Sequence, residues 1–85
     1  MKVKVRFFAN LRERLGTGAE LVEIPDSAST VAGLRLHLMG RGGAWQEALG
    51  DNKLVRVAVN QDMAAANAPL SPGDEVAFFP PVTGG

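Results

Sequence analysis

The 85-residue chain contains no cysteine. That absence removes disulfides, thiolate metal sites and a cysteine nucleophile together. Any sulfur chemistry would have to use sulfur brought from outside. Net charge is missing too, because nine Lys and Arg balance nine Asp and Glu. The cations are spread along the chain, which speaks against nucleic acid or a polybasic membrane anchor as partner. No apolar run approaches membrane-spanning length, and the N-terminus alternates charge with hydrophobe where a signal peptide would carry an apolar core. A cytoplasmic location is expected. The single histidine, His37, has no Ser, Cys or carboxylate at motif spacing and reads as a partly exposed helix residue. The carboxylates are dispersed, and no metal site or self-sufficient active site is expected. Gly40-Arg41-Gly42-Gly43 looks superficially like a phosphate loop. It follows a helix, however, and lacks the Lys-Ser/Thr of a P-loop, so a helix exit is the better reading.

What is present suits one globular domain. Hydrophobic residues make up 46% and charged residues 21%, and a chain of this size can bury about 60–65% of its unfolded surface. Lys2 to Phe8 alternates as a half-buried strand, with Val3, Val5 and Phe7 on one face and Lys2, Lys4, Arg6 and Phe8 on the other. Phe8 is then an aromatic on a basic face. Asn10 is placed to cap a short helical turn that points Leu11 and Leu15 inward, and Gly16 and Gly18 break it. Ala19–Ile24 reads as a second strand, expected to pair antiparallel with the first and closed by Pro25-Asp26. Ser29 or Thr30 caps the main helix, which runs to about Met39; Val31, Leu34 and Leu38 form its inward stripe, widened by Leu36 and Met39. Gly33 inside that helix costs about 1 kcal/mol relative to Ala, and close packing against the sheet is one reason to have it. Trp45 and Leu49 sit one turn apart in a short amphipathic segment. Leu54–Val59 reads as a third strand with Val55, Val57 and Val59 buried, Asn60-Gln61-Asp62 as a turn, and Met63–Ala66 as a short edge strand. Pro69–Asp74 is turn-rich. Glu75–Phe79 is the last strand, with Val76 and Phe78 inward and Ala77 and Phe79 outward. The order predicts an α+β fold, a sheet with one main helix across one face.

The last strand runs into Pro80, Pro81, Val82, Thr83, Gly84 and Gly85. The prolines lack a backbone N–H and cannot continue a ladder, while their fixed φ favours a stiff, extended spacer. The glycines lack Cβ and can pass a slot too narrow for any other residue. We therefore divide the chain into a domain over residues 1–79 and a flexible tail over 80–85, which could reach about 20 Å at about 3.3 Å per residue. A frayed end is the alternative. Phe8 and Phe79 both lie at the C-terminal ends of strands on the face away from the core. If those strands are parallel neighbours, both rings emerge beside the tail, and Met63 can join them from the edge. Such a patch suggests a docking surface, whereas isolated exposed aromatics would be ordinary.

Phe7-Phe8-Ala9 with Leu11-Arg12-Glu13, then Val57-Ala58-Val59-Asn60, Pro69-Leu70 and the run Gly73–Gly85 closing in Phe-Phe-Pro-Pro-Val-Thr-Gly-Gly, resemble the small subunits of molybdopterin synthase over essentially the whole chain. The resemblance implies the ubiquitin-like β-grasp fold. It also implies a sulfur-donor subunit that is not itself catalytic and binds no cofactor. In that family a separate ubiquitin-activating-like adenylyltransferase consumes ATP to activate the terminal carboxylate, here Gly85, and sulfur replaces the adenylate to give a thiocarboxylate. The tail then enters the large subunit, in an assembly of two small and two large chains, and donates sulfur to the cyclic pyranopterin precursor. On this resemblance Gly85 carries the sulfur and Gly84 permits its entry. The resemblance also implies that Phe8, Met63, Phe79, Pro80, Pro81, Val82 and Thr83 would contact partners. A carrier for thiazole or cysteine synthesis, a ubiquitin-like modifier and a plain binding module are the alternatives.

Overall fold

The computed structural model describes residues 1–50 and 53–81. Five strands form one mixed sheet: β1 (Lys2–Phe7), β2 (Ala19–Glu23), β3 (Arg56–Val59), β4 (Asp62–Met63) and β5 (Glu75–Phe79), in spatial order β2-β1-β5-β3-β4. Strand β1 pairs antiparallel with β2 and parallel with β5, and β3 pairs antiparallel with both β5 and β4. Helix α2 (Val31–Met39) crosses one face, flanked by two short helices, α1 (Asn10–Leu15) and α3 (Ala44–Leu49). This is the ubiquitin-like β-grasp arrangement.

Alternation along the two central strands builds the core. Val3, Val5 and Phe7 from β1 and Val76 and Phe78 from β5 point to the helix face, where Val31, Leu34 and Leu38 of α2 and Leu49 of α3 meet them. Phe7 is at the centre: its ring stacks on Phe78, with centroids 5.8 Å apart, and meets Trp45 edge-on at 5.4 Å. No polar or charged residue is buried among those described.

The start of α2 has every early N–H accounted for. Thr30 is the N-cap, its Oγ1 accepting from the Gly33 N–H at 3.0 Å. The Val31 and Ala32 amides donate to the carbonyls of Ala68 and Ala66. Gly33 itself lies against a single 3-10 turn, Asp26–Ala28, where an added Cβ would sit 2.7 Å from the Ala28 carbonyl oxygen. Its packing partner is thus this backbone and not the sheet. We expect Gly33→Ala to destabilise the fold by about 1–2 kcal/mol, because backbone overlap outweighs the gain of about 1 kcal/mol in helix propensity. A melting temperature at or above the parent's would show that the 3-10 turn yields instead.

Several local expectations are corrected. Ala9, not Asn10, occupies the N-cap of α1, with φ 55° and no side-chain cap bond; Asn10 is the first helical residue. Leu36 does not widen the buried stripe. It is 60% exposed, bordering a groove with Met39, Val55 and Met63 between α2 and the β3–β4 edge. Strand β2 ends one residue early, at Glu23, although Ile24 is buried. Strand β3 starts at Arg56, two residues late, because Arg56 faces Phe79 and the next residue of the neighbouring chain is Pro80, which has no N–H to offer. Leu54 is accordingly 81% exposed, and of Val55, Val57 and Val59 only Val57 is fully buried. The edge strand covers Asp62–Met63 in place of Met63–Ala66, since Ala66 and Ala68 are committed to the N-terminus of α2. Between β3 and β4 the expected turn is present, with Asn60 and Gln61 both at positive φ.

Candidate functional site

The ladder between β1 and β5 decides where the outward aromatics go. Val5 is level with Val76 and Phe7 with Phe78. Phe8 and Phe79, one residue further on, therefore stand at the same level on the outer face of the sheet, opposite the helices. The Phe8 amide donates to the Phe78 carbonyl at 3.1 Å, which fixes this end of the ladder. Phe8 is 40% exposed and Phe79 is partly buried. One row back on the same face, Ala77 pairs with Ala58 and Ala58 pairs with Met63, which is 59% exposed. By register Ala58 and Ala77 lie between Met63 and the aromatic end, and Met63 also lines the groove beside α2. Pro80 and Pro81, both partly buried, follow Phe79 directly.

One ring has a cation over it and the other has an arginine level with it. The Arg6 guanidinium carbon lies 5.1 Å from the Phe8 ring centroid, and Arg56 is directly across from Phe79. The structure therefore brings Phe8, Phe79, Pro80 and Pro81 to one end of the outer face, with Met63 on the same face at the sheet edge. The expected contributions of Val82, Thr83, Gly84 and Gly85 lie outside the described residues.

Other candidates receive structural assignments. Arg41, in the glycine-rich segment, pairs with Glu20 at 2.7 Å and sits 4.4 Å from the Trp45 ring centroid. It ties the helix exit to β2 and is not held open for a phosphate. His37 is exposed on α2. Arg35, unremarked in the sequence, donates from Nε to the Leu49 carbonyl at 2.7 Å and from Nη2 to the Gly50 and Lys53 carbonyls at 2.9 and 3.0 Å. It caps the end of α3 and anchors the approach to β3. Only the isolation of an arginine next to the inward stripe of α2 could have hinted at this. Among the described residues no cluster of three or more His, Cys, Asp or Glu could hold a metal, and no helix is long and apolar enough to cross a membrane.

The fold and this surface define a small β-grasp protein with two outward aromatics followed by two prolines at one end of its sheet. The ThiS family model matches residues 5–85, and the chain belongs to that family. It is 49% identical over 83 residues to the molybdopterin synthase sulfur carrier subunit of Escherichia coli (strain K12), an alignment covering 98% of this chain and 99% of that protein. Among solved structures it is similar to SAMP1 from Haloferax volcanii, with a TM-score of 0.81, 30% identity and complete coverage of both chains. It is also similar to a chain of the complex of subunits 1 and 2 of molybdopterin-converting factor from Helicobacter pylori 26695, with a TM-score of 0.69, 28% identity and complete coverage of both.

Proposed function

We propose that this chain is the sulfur-carrier small subunit of a molybdopterin synthase. The observation that carries the reading is the 49% identity, over nearly the full length of both chains, to a protein of that name. The ending Phe79-Pro80-Pro81-Val82-Thr83-Gly84-Gly85 supplies the chemistry. A free carboxylate is a poor acyl electrophile. A separate adenylyltransferase first joins the Gly85 carboxylate to AMP, with pyrophosphate leaving from ATP. A sulfur nucleophile then displaces AMP and leaves a thiocarboxylate. Inside the large subunit that sulfur attacks the pyranopterin precursor, and hydrolysis of the acyl–sulfur link returns the carboxylate. Two carriers in succession deliver the two sulfurs of the dithiolene. This chain supplies the reacting group and its placement, whereas the partner supplies the catalytic side chains. The absence of cysteine fits such a role, since no thiol of the carrier can capture its own activated end. An assembly of two small and two large subunits in the cytoplasm belongs to the same reading.

The direct test is the intact mass of the protein co-expressed with its activating enzyme and a sulfur source. Exchange of one oxygen for sulfur at the C-terminus, followed by dithiolene formation once the large subunit and precursor are added, is the expected result. Adducts on lysines of other proteins would instead indicate a modifier. No change would indicate a binding module.

The docking surface has its own prediction. Phe79→Arg should weaken binding of the large subunit at least about tenfold, as loss of an aromatic anchor typically does. The fold should be little affected, because Phe79 faces away from the core. Titration of the large subunit paired with a melting curve checks both halves, and a large drop in melting temperature would overturn the face assignment.

A further inference from the structure

The outer face of the sheet is not evenly charged. By strand alternation it carries Lys2, Lys4, Arg6 and Arg56 against Glu23 and Glu75. Away from the aromatic end each cation has a carboxylate level with it, Lys2 with Glu23 and Lys4 with Glu75, although the ion pairs formed are Glu23 with the Met1 amino group and Glu75 with Arg6. At the aromatic end the cations have none level with them. Arg6 approaches a carboxylate only at 4.0 Å, that of Glu75, which already stands opposite Lys4; the Arg6 and Glu75 side chains are 49% and 33% exposed. A solvated pair of that geometry binds weakly. Arg56 makes no ion pair among the described residues. With the whole chain at zero net charge, this excess is local, and each arginine stands beside one of the two outward aromatics.

Resting on the reading above, we propose that Arg6 and Arg56 are a cationic rim around the Phe8–Phe79 anchor, and that the large-subunit surface docking there carries carboxylates facing them. Burial of the aromatic centre brings the two guanidinium groups to the edge of a partly desolvated interface. A purely apolar partner would leave them unpaired there. Their planar donor forks suit carboxylates, and a rim of this kind governs encounter rate and partner choice more than the central contact does.

The test uses the full chain and the purified large subunit, with association followed at about 50 and about 300 mM salt, where screening differs severalfold. The double variant Arg6→Gln, Arg56→Glu should associate at least about tenfold more slowly at the lower salt and lose most of its salt dependence. Arg56→Lys alone should keep that dependence. Both side chains are solvated, so the melting temperature should not move. Unchanged association, or tighter binding by the double variant, would overturn the proposal. If the arginine variants bind normally while Phe79→Arg does not, the rim fails and the docking face stands. If Phe79→Arg also binds normally, the docking reading itself fails.

Discussion

Phe78→Ala should destabilise the domain by about 3–5 kcal/mol, the usual range for emptying a buried phenylalanine site. Phe78 is fully buried on β5, stacked on Phe7, whose other contact is the edge of Trp45. Truncation therefore removes the middle strand's contribution to a three-ring cluster joining β1, β5 and α3. Neighbours can collapse into the space only by moving one of the two central strands, and both are held by ladders on each side. For a domain of this size each kcal/mol shifts the melting temperature by about 4–8 °C. A fall of about 12–40 °C, enough to leave much of the protein unfolded at growth temperature, follows. Chemical denaturation of the variant beside Phe79→Arg is the informative comparison. Adjacent residues of the same type should differ severalfold in effect, because one is inside the sheet and the other outside. Equal losses would mean that the alternation in β5 has been misassigned.

That alternation was the most legible feature of the chain. Lys2-Val3-Lys4-Val5-Arg6-Phe7 discloses its buried face without help, because each successive side chain points to the opposite side and charge marks the outside. The same logic separates Phe78 from Phe79 and places Phe8 on the outer face. The cap of α2 is readable as Ser29 or Thr30, and the contact that selects Thr30 is local, between residues three apart.

Long-range contacts hid what was missed. Nothing near Leu36 says that the groove beside it stays open, and an apolar residue at helical spacing is ordinarily assigned to the core. Strand β3 looked two residues longer because Leu54 and Val55 suit a strand, yet its extent was set by a proline 24 residues downstream that ends the neighbouring ladder. The β4 segment lost its expected length to helix α2, whose first amides take the carbonyls of Ala66 and Ala68. Gly33 looked like a weak helix residue, and only the approach of the Ala28 backbone shows why a side chain is excluded. Arg35 carries no signal in the sequence and Arg41 reads only as part of a helix exit, but one binds three carbonyls and the other a carboxylate and an indole face. For the candidate site, the outward faces of Phe8, Met63 and Phe79 were readable, whereas the pairing of Arg56 with Phe79 depends on the β3–β5 register.

Adding one residue after Gly85, or replacing Gly84 by Ile, should abolish sulfur loading or transfer while leaving thermal stability unchanged. The two changes act differently. An added residue moves the reacting carbonyl along the chain by about 3.3 Å, and a misplacement of about 1 Å can lower a rate a hundredfold. On the reading proposed above, a side chain at position 84 would instead be too wide for a passage that the missing Cβ atoms fit. Neither should disturb the fold, because the last ladder pair is Arg56 with Phe79, and the two prolines that follow cannot extend it. Each variant should therefore melt like the parent. Each should still bind the large subunit through Phe8 and Phe79, with affinity reduced only by whatever the tail contributes. Thiocarboxylate formation by intact mass, then dithiolene formation with the large subunit, separates a block in loading from a block in transfer. Normal loading and transfer in both variants would make the diglycine an ordinary chain end and remove the chemistry on which the carrier role depends.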